Sequence, residues 1–182
     1  ALDVPHISSY HLTYEEGTVL YLQAQKGKIA PVNEELSVEM FRTLRQTLLA
    51  AGYDHYEISN FAKPGLEAKH NSSYWNGTKY LGLGPAAHSF DGDTRHWNFA
   101  DTRGYIDALA RGEFPCETEV LTDADRYNEF VMTSLRTAKG ISLNSLLTKF
   151  GEKMRDFCLK RAAPFLKNGT LEDSNGNLRL TE

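Results

Sequence analysis

Between His70 and Ser89 the chain reads HNSSYWNGTKYLGLGPAAHS, which places two histidines, three large aromatics and three glycines within twenty positions. Core packing alone does not call for that mixture, because histidine is only intermediate in burial and glycine brings no side chain to a core. If the first half is helical, His70 and Tyr74 share a face with Trp75 beside them, and an imidazole and two flat rings line one wall. Such a wall suits a flat, aromatic, metal-bearing ligand. Tyr80 to Pro85 alternates apolar residues with Gly82 and Gly84, the pattern of a strand whose missing side chains let something approach its backbone. Pro85 ends that strand, and His88 and Ser89 follow at its exit.

The segments before this stretch read as scaffold. Ile7 to Leu12 is rich in β-formers, and the polar loop TYEEGT at Thr13 to Thr18 leads into a helix from Val19 to Lys26. Asn33 is a natural N-cap, Glu34 and Glu35 favour the first turn, and Leu36, Met40, Leu44 and Leu48 recur at helical spacing until Gly52 stops the run. Tyr53 to Asn60 then returns to aromatic and β-branched residues. Strand, helix and strand in that order predict a right-handed βαβ unit with parallel strands. Ligands gather at the carboxyl ends of such strands, so Tyr10, Glu15 and Asn60 join Gly82, Gly84, His88 and Ser89 as pocket residues.

After Ser89, FDGDTRHWNF predicts a hairpin turning at Asp91 to Asp93, with His96 and Trp97 as structural residues. Asp101 caps a helix from Thr102 to Arg111. Gly112 to Val120, with Pro115 inside, reads as an extended connector and a domain boundary. Thr122 opens a capped helix, Ser142 starts a short one through Phe150, and a longer one runs from about Lys153 to Lys167. An Asn175-Gly176 turn joins two short strands at the end. Three helices and a hairpin predict a winged-helix-like module. Its basic helix residues Lys153, Arg155, Lys160, Arg161 and Lys167, with Arg179 on the wing, also admit a nucleic-acid interface, although acids are interspersed and a solvated face is the commoner cause.

Composition excludes several classes. Hydrophobic content of 41% and charged content of 24% fit a globular chain of 182 residues, and no apolar run is long enough to span a bilayer. A net charge of −4 argues against binding driven by counterion release from nucleic acid. Cys116 and Cys158 fit no metal spacing and read as free thiols of a reducing, cytoplasmic compartment. Ala1 to Tyr10 carries no initiator methionine and no signal-like region, so the start reads as a cut through a longer protein.

Four segments, HISSYHLTYEEGT, GYDHYEISNFAKPG, HNSSYW and YLGLGPAAHSF, taken in this order and spacing, resemble the second half of the oxygen-independent coproporphyrinogen III oxidase-like radical-SAM proteins. The HNSSYW segment most resembles the HemW-type haem chaperones of that group. The likeness covers nearly the whole chain and is most specific from Tyr56 to Ser89. ADRYNEFVMTSLRTAKGIS resembles the start of the family's C-terminal domain, and the end at Glu182 reads as a missing or trimmed tail. The fold implied is α/β (α+β): residues 1–118 as the C-terminal part of a partial (β/α) barrel, and residues 119–182 as the mostly helical winged-helix-type domain.

The resemblance also implies chemistry. Radical-SAM proteins hold a 4Fe-4S cluster on a Cys-x3-Cys-x2-Cys loop that cleaves S-adenosylmethionine, and that loop belongs to a part of the family sequence preceding Ile7. Cys116 and Cys158 cannot replace it, so both groups are expected in the full-length protein only and this chain is expected to be inactive alone. The family's HNxxYW motif is associated with haem, which selects His70, Asn71, Tyr74 and Trp75, with His70 as a ligand of the haem iron. The expected function is delivery of haem to acceptor proteins. The alternative is oxidative decarboxylation of coproporphyrinogen III, with Arg95 or Lys79 holding porphyrinogen carboxylates. One departure stands out: Ala86 occupies the glycine of the family's GPGAHS, and a positive φ there would strain it.

Overall fold

The computed structural model describes residues 3–181. Ala1 and Glu182, on which the reading of a cut chain turns, lie outside them. The chain divides into two compact units, one ending at Ala68 and the other beginning at Lys69.

The first unit contains β1 (His6–Ser8), α1 (Val19–Gln25), α2 (Glu34–Ala50), β2 (Asp54–Glu57) and β3 (Asn60–Ala62). Its sheet has the order β1-β3-β2, and both outer strands are antiparallel to β3. β1 and β2 therefore run the same way, as a βαβ unit requires, but they are not neighbours. The stretch expected as one strand from Tyr53 to Asn60 reverses at residues 58–59, and β3 folds back between the other two. Ile58-Ser59 lacks the glycine, asparagine or proline that marks a tight turn, so local sequence hid the reversal. β1 is also shorter than expected, ending at Ser8.

Tyr53, Phe61 and Ala62 form the buried centre of this unit, with Phe61 fully enclosed and Tyr53 Oη donating to the Val4 carbonyl at 2.6 Å. α2 starts where expected: Asn33 Oδ1 accepts from the Leu36 amide at 2.8 Å, and Glu34 and Glu35 occupy the dipole-favoured first turn. Its apolar stripe is open rather than packed. Phe41 meets His55 of β2 edge-on at 5.8 Å, but Leu36, Met40, Phe41 and Leu49 are all exposed.

The second unit contains α3 (Lys69–Trp75), β4 (His88–Phe90), β5 (Thr94–Asn98), α4 (Thr102–Ala110), β6 (Cys116–Val120) and α5 (Asp123–Leu135). It continues with β7 (Ile141–Ser142), α6 (Leu143–Lys167), β8 (Leu171–Ser174) and β9 (Asn177–Leu180). β4, β5 and β6 form one antiparallel sheet in that order. The β4–β5 turn is the expected one. Asp91 accepts from the Asp93 and Thr94 amides at 3.0 and 2.7 Å and from Thr94 Oγ1 at 2.7 Å. Those donors pull its carboxyl down to about 2.

Two expectations are corrected here. The connector expected from Gly112 to Val120 is a sheet strand from Cys116 onward, pairing Glu117 with Trp97 and Val120 with Thr94. Pro115 lies one residue outside the ladder, where its missing N–H costs no sheet bond. Conversely, Tyr80 to Pro85 is not a strand: its only ladder pairing among the described residues is an isolated bridge, Tyr80 to Phe90.

The C-terminal part follows its local signals. Thr122 and Asp125 make a reciprocal capping box, and Ser142 caps α6. α6 is interrupted at Gly151, whose φ of 81° breaks the helix between the short and long pieces read from sequence. Asn175 and Gly176, with φ of 55° and 79°, make the turn between β8 and β9. The order β7-β9-β8 beside α5 and α6 encloses Tyr127, Ile141, Leu146, Cys158, Ala162, Leu171 and Leu178. No helix among the described residues is long and apolar enough to cross a membrane.

Candidate functional site

α3 carries the HNSSYW residues. Helical spacing brings His70 and Tyr74 onto one face, and Tyr74 Oη lies 3.0 Å from His70 Nε2, with the rings edge-to-face at 5.1 Å. Both side chains are solvent-accessible, Tyr74 at 43%. The helix ends where Asn76 Oδ1 accepts from the Thr78 amide at 3.0 Å and Gly77 takes a φ of 73°. The chain then reverses and delivers Tyr80 against Tyr74, edge-to-face at 4.9 Å. Tyr80 and Phe90 exchange two backbone hydrogen bonds of 2.9 Å, so the aromatic row is fixed to the sheet at β4.

Trp75 is placed differently. It lies one residue, about 100°, round the helix from Tyr74. Its ring sits under the Arg136 guanidinium at 5.4 Å, and its buried Nε1 has no acceptor among the described residues. Trp75 therefore anchors α3 to the C-terminal end of α5 instead of extending the exposed wall. Asn71 is half-buried on the same helix.

The glycines of this segment face the sheet, and its leucines face solvent. The Gly82 amide donates to Ser89 Oγ at 2.9 Å, and a Cβ at Gly82 would lie 2.2 Å from the His88 carbonyl oxygen. What approaches the Gly82 backbone is thus β4 itself. Gly84 has a φ of 97°, and its carbonyl accepts from the Asn98 side chain at 2.8 Å. Ala86 has a φ of 59°, the left-handed conformation that the GPAAHS departure put in question. Between the glycines, Leu81 and Leu83 are 72% and 83% exposed.

His88 pairs across the ladder with Trp97 and stacks on it at 6.2 Å. Together with Ala86, Asn98, Asp101 and Glu117 they line an open cleft of about 630 Å³. His96, on the other face of β5, is held by Thr118 Oγ1 at 2.8 Å and Thr94 Oγ1 at 3.1 Å.

Tyr10, Glu15 and Asn60 belong to the first unit. Tyr10 is 73% exposed, and the Glu15 carbonyl accepts from Thr18, the N-cap of α1. Asn60 is buried and donates to buried Glu57, while its Oδ1 has no donor among the described residues. Sequence reasoning missed Arg136 and the Arg95–Glu129 pair. Arg95 forks onto Glu129 of α5 at 2.7 and 2.9 Å and also reaches Glu119 at 3.8 Å. The Glu129 contact raises the Arg95 pKa and joins α5 to the sheet. An arginine one strand-pair from an aromatic row gives no local sign that its partner lies 34 residues away.

A 4Fe-4S cluster does not fit the described residues. Among the described residues no group of three histidine, cysteine or acidic side chains is placed to hold a metal ion, and Cys158 is buried with its thiol pushed up by desolvation.

Comparison with known proteins agrees with the motifs. Residues 121–182 match the HemN C-terminal domain. The chain is 34% identical over 182 residues to the heme chaperone HemW of Bacillus subtilis (strain 168), covering 100% of this chain and 48% of that protein. It is 32% identical over 179 residues to the heme chaperone HemW of Mycobacterium tuberculosis (strain CDC 1551 / Oshkosh), covering 98% and 44%. The chain thus spans about half the length of the curated relatives it matches. The solved structure of coproporphyrinogen III oxidase (HemN) from Escherichia coli, a radical SAM enzyme, superposes with a TM-score of 0.71 at 18% identity, over 97% of this chain and 44% of that one.

Proposed function

We propose that this chain, which belongs to the oxygen-independent coproporphyrinogen III oxidase-like radical-SAM family on its HemW-type side, binds haem as cargo on the exposed face of α3, for delivery to a haem-requiring acceptor protein. The observation that carries this reading is the open His70–Tyr74 pair: an imidazole nitrogen and a phenol oxygen 3.0 Å apart, both reachable from solvent. Iron takes either donor type. Exposed Leu81 and Leu83, in the segment that leaves Tyr80, offer the apolar surface that a porphyrin face requires. Asn71, next to His70 on the same helix, is assigned the role of holding a propionate, and Trp75 keeps that helix in place.

Two other readings have less support. The oxidase reading needs cations for porphyrinogen carboxylates, and of its two candidates Arg95 is already committed to Glu129 and Glu119, which leaves exposed Lys79. The nucleic-acid reading loses two of its six cations, Arg155 to Glu152 and Asp156 and Arg179 to Glu172, in a chain whose net charge is −4. We place the chain in a reducing, cytoplasmic setting because its two cysteines are free thiols.

The test is equilibrium titration of the purified chain with ferric haem, followed in the Soret region, beside the double variant His70→Ala/Tyr74→Phe. Saturable binding that the double variant weakens at least tenfold is the expected result. Equal binding by both proteins removes α3 from the role.

A further inference from the structure

We infer, building on the haem reading above, that the atom of this pair which takes the iron is Tyr74 Oη, and that His70 is its hydrogen-bond partner and not the ligand. The two atoms lie 3.0 Å apart, within hydrogen-bond distance. Nε2 has a single in-plane direction for a bond, and when it accepts the phenol proton that direction is taken up by Tyr74 Oη, so a metal on Nε2 must first displace the phenol. The phenol oxygen is different. It has a second lone pair, and it can bind iron while keeping the hydrogen bond to His70.

The remaining imidazole nitrogen is poorly placed for so wide a ligand. Nδ1 is bonded to Cγ, on the side of the ring nearer the main chain, where a ligand as wide as a porphyrin has less room than at the tip of a tyrosine. Tyr74 Oη stands at the far end of its ring, and Tyr80 fixes that ring edge-on at 4.9 Å. The oxygen is therefore both presented and oriented.

The step balances without an oxidant or reductant. The Tyr74 O–H bond breaks, an iron–oxygen bond forms, and the proton moves to His70 Nε2, which then donates to the phenolate it has just created. Iron stays ferric throughout. His70 is a positioning residue here, and a hard anionic oxygen selects ferric over ferrous haem.

Absorption and resonance Raman spectra of the ferric-haem complex of the full 182-residue chain test this. The expected spectrum contains a phenolate-to-iron charge-transfer band and tyrosinate ring vibrations. Tyr74→Phe abolishes both and weakens binding at least tenfold, while His70→Ala retains both with weaker binding that His70→Gln partly restores. A wild-type spectrum without tyrosinate features, or one that survives Tyr74→Phe and is lost in His70→Ala, overturns the assignment while leaving the haem reading intact. Failure of the wild-type chain to bind ferric haem overturns both. Far-UV circular dichroism of each variant separates loss of a ligand from loss of the fold.

Discussion

The Arg136 guanidinium lies 5.4 Å from the centre of the Trp75 ring, joining the end of α3 to the end of α5. This contact explains why a seven-residue helix, too short to be stable alone, holds its His70–Tyr74 face in one orientation. Truncating the cation should cost about 0.5–1 kcal/mol, since Arg136 is exposed. Truncating Trp75 to Ala should cost about 2–3 kcal/mol, because half-buried ring area is lost as well. Urea titrations of Arg136→Ala and Trp75→Ala check both values. Hydrogen exchange should show α3 opening more often in each variant while α6 is unchanged.

Ala86 sits at a φ of 59°, where a Cβ is strained by roughly 1–2 kcal/mol. Glycine relieves that strain but gives back part of the gain through unfolded-chain entropy. Ala86→Gly is expected to stabilise the chain by about 0.5–1 kcal/mol net. Ala86→Val, β-branched at the same φ, should destabilise it. Thermal melts of the three proteins should rank Gly above Ala above Val.

Gly82 and Gly84 are glycines for different reasons, and alanine should separate them. At Gly82 a Cβ meets the His88 carbonyl oxygen at 2.2 Å, so β4 must move. Gly82→Ala is expected to cost about 2–3 kcal/mol, as overpacking against a backbone does. At Gly84 a Cβ meets nothing within 4 Å, and only its φ of 97° resists substitution. Gly84→Ala should therefore cost less, about 1–2 kcal/mol. Equal costs in denaturant titrations would show that the Gly82 packing is not as described.

His55 stacks flat on Phe61 at 4.4 Å, and burial lowers its pKa below 6.5 despite the Ile58 carbonyl that favours the charged ring. The unfolded chain therefore binds more protons than the folded one between the depressed value and 6.5. This contribution to stability is present above 6.5 and is lost as pH falls through the folded pKa. Urea midpoints of the first unit should fall as pH is lowered from neutral into the acid side of that window. His55→Phe should flatten the dependence over the same range.

Local chemistry was legible in the sequence wherever a feature is settled by its own neighbours. The Asn33 cap, the Thr122–Asp125 capping box, the Asp91 turn, the Gly151 break and the Asn175-Gly176 turn all follow from short-range rules. The His70–Tyr74 pair was legible too, because i and i+4 on a helix is a local relation. What escaped depends on residues distant in the chain. The reversal at residues 58–59, the strand from Cys116 and the Arg95–Glu129 fork are decided by partners that no window contains. Trp75 was read as part of an exposed wall because its aromatic character is local information. Its true neighbour, Arg136, is supplied by another helix.

The central claim is that a planar tetrapyrrole sits on α3 beside the Leu81–Leu83 segment. The most direct measurement is amide hydrogen exchange of the chain with and without one equivalent of ferric haem. Protection should concentrate in peptides covering 69–83, with the β7-β9-β8 module and the first unit unchanged. Protection confined to either of those regions, with none over 69–83, would contradict the account.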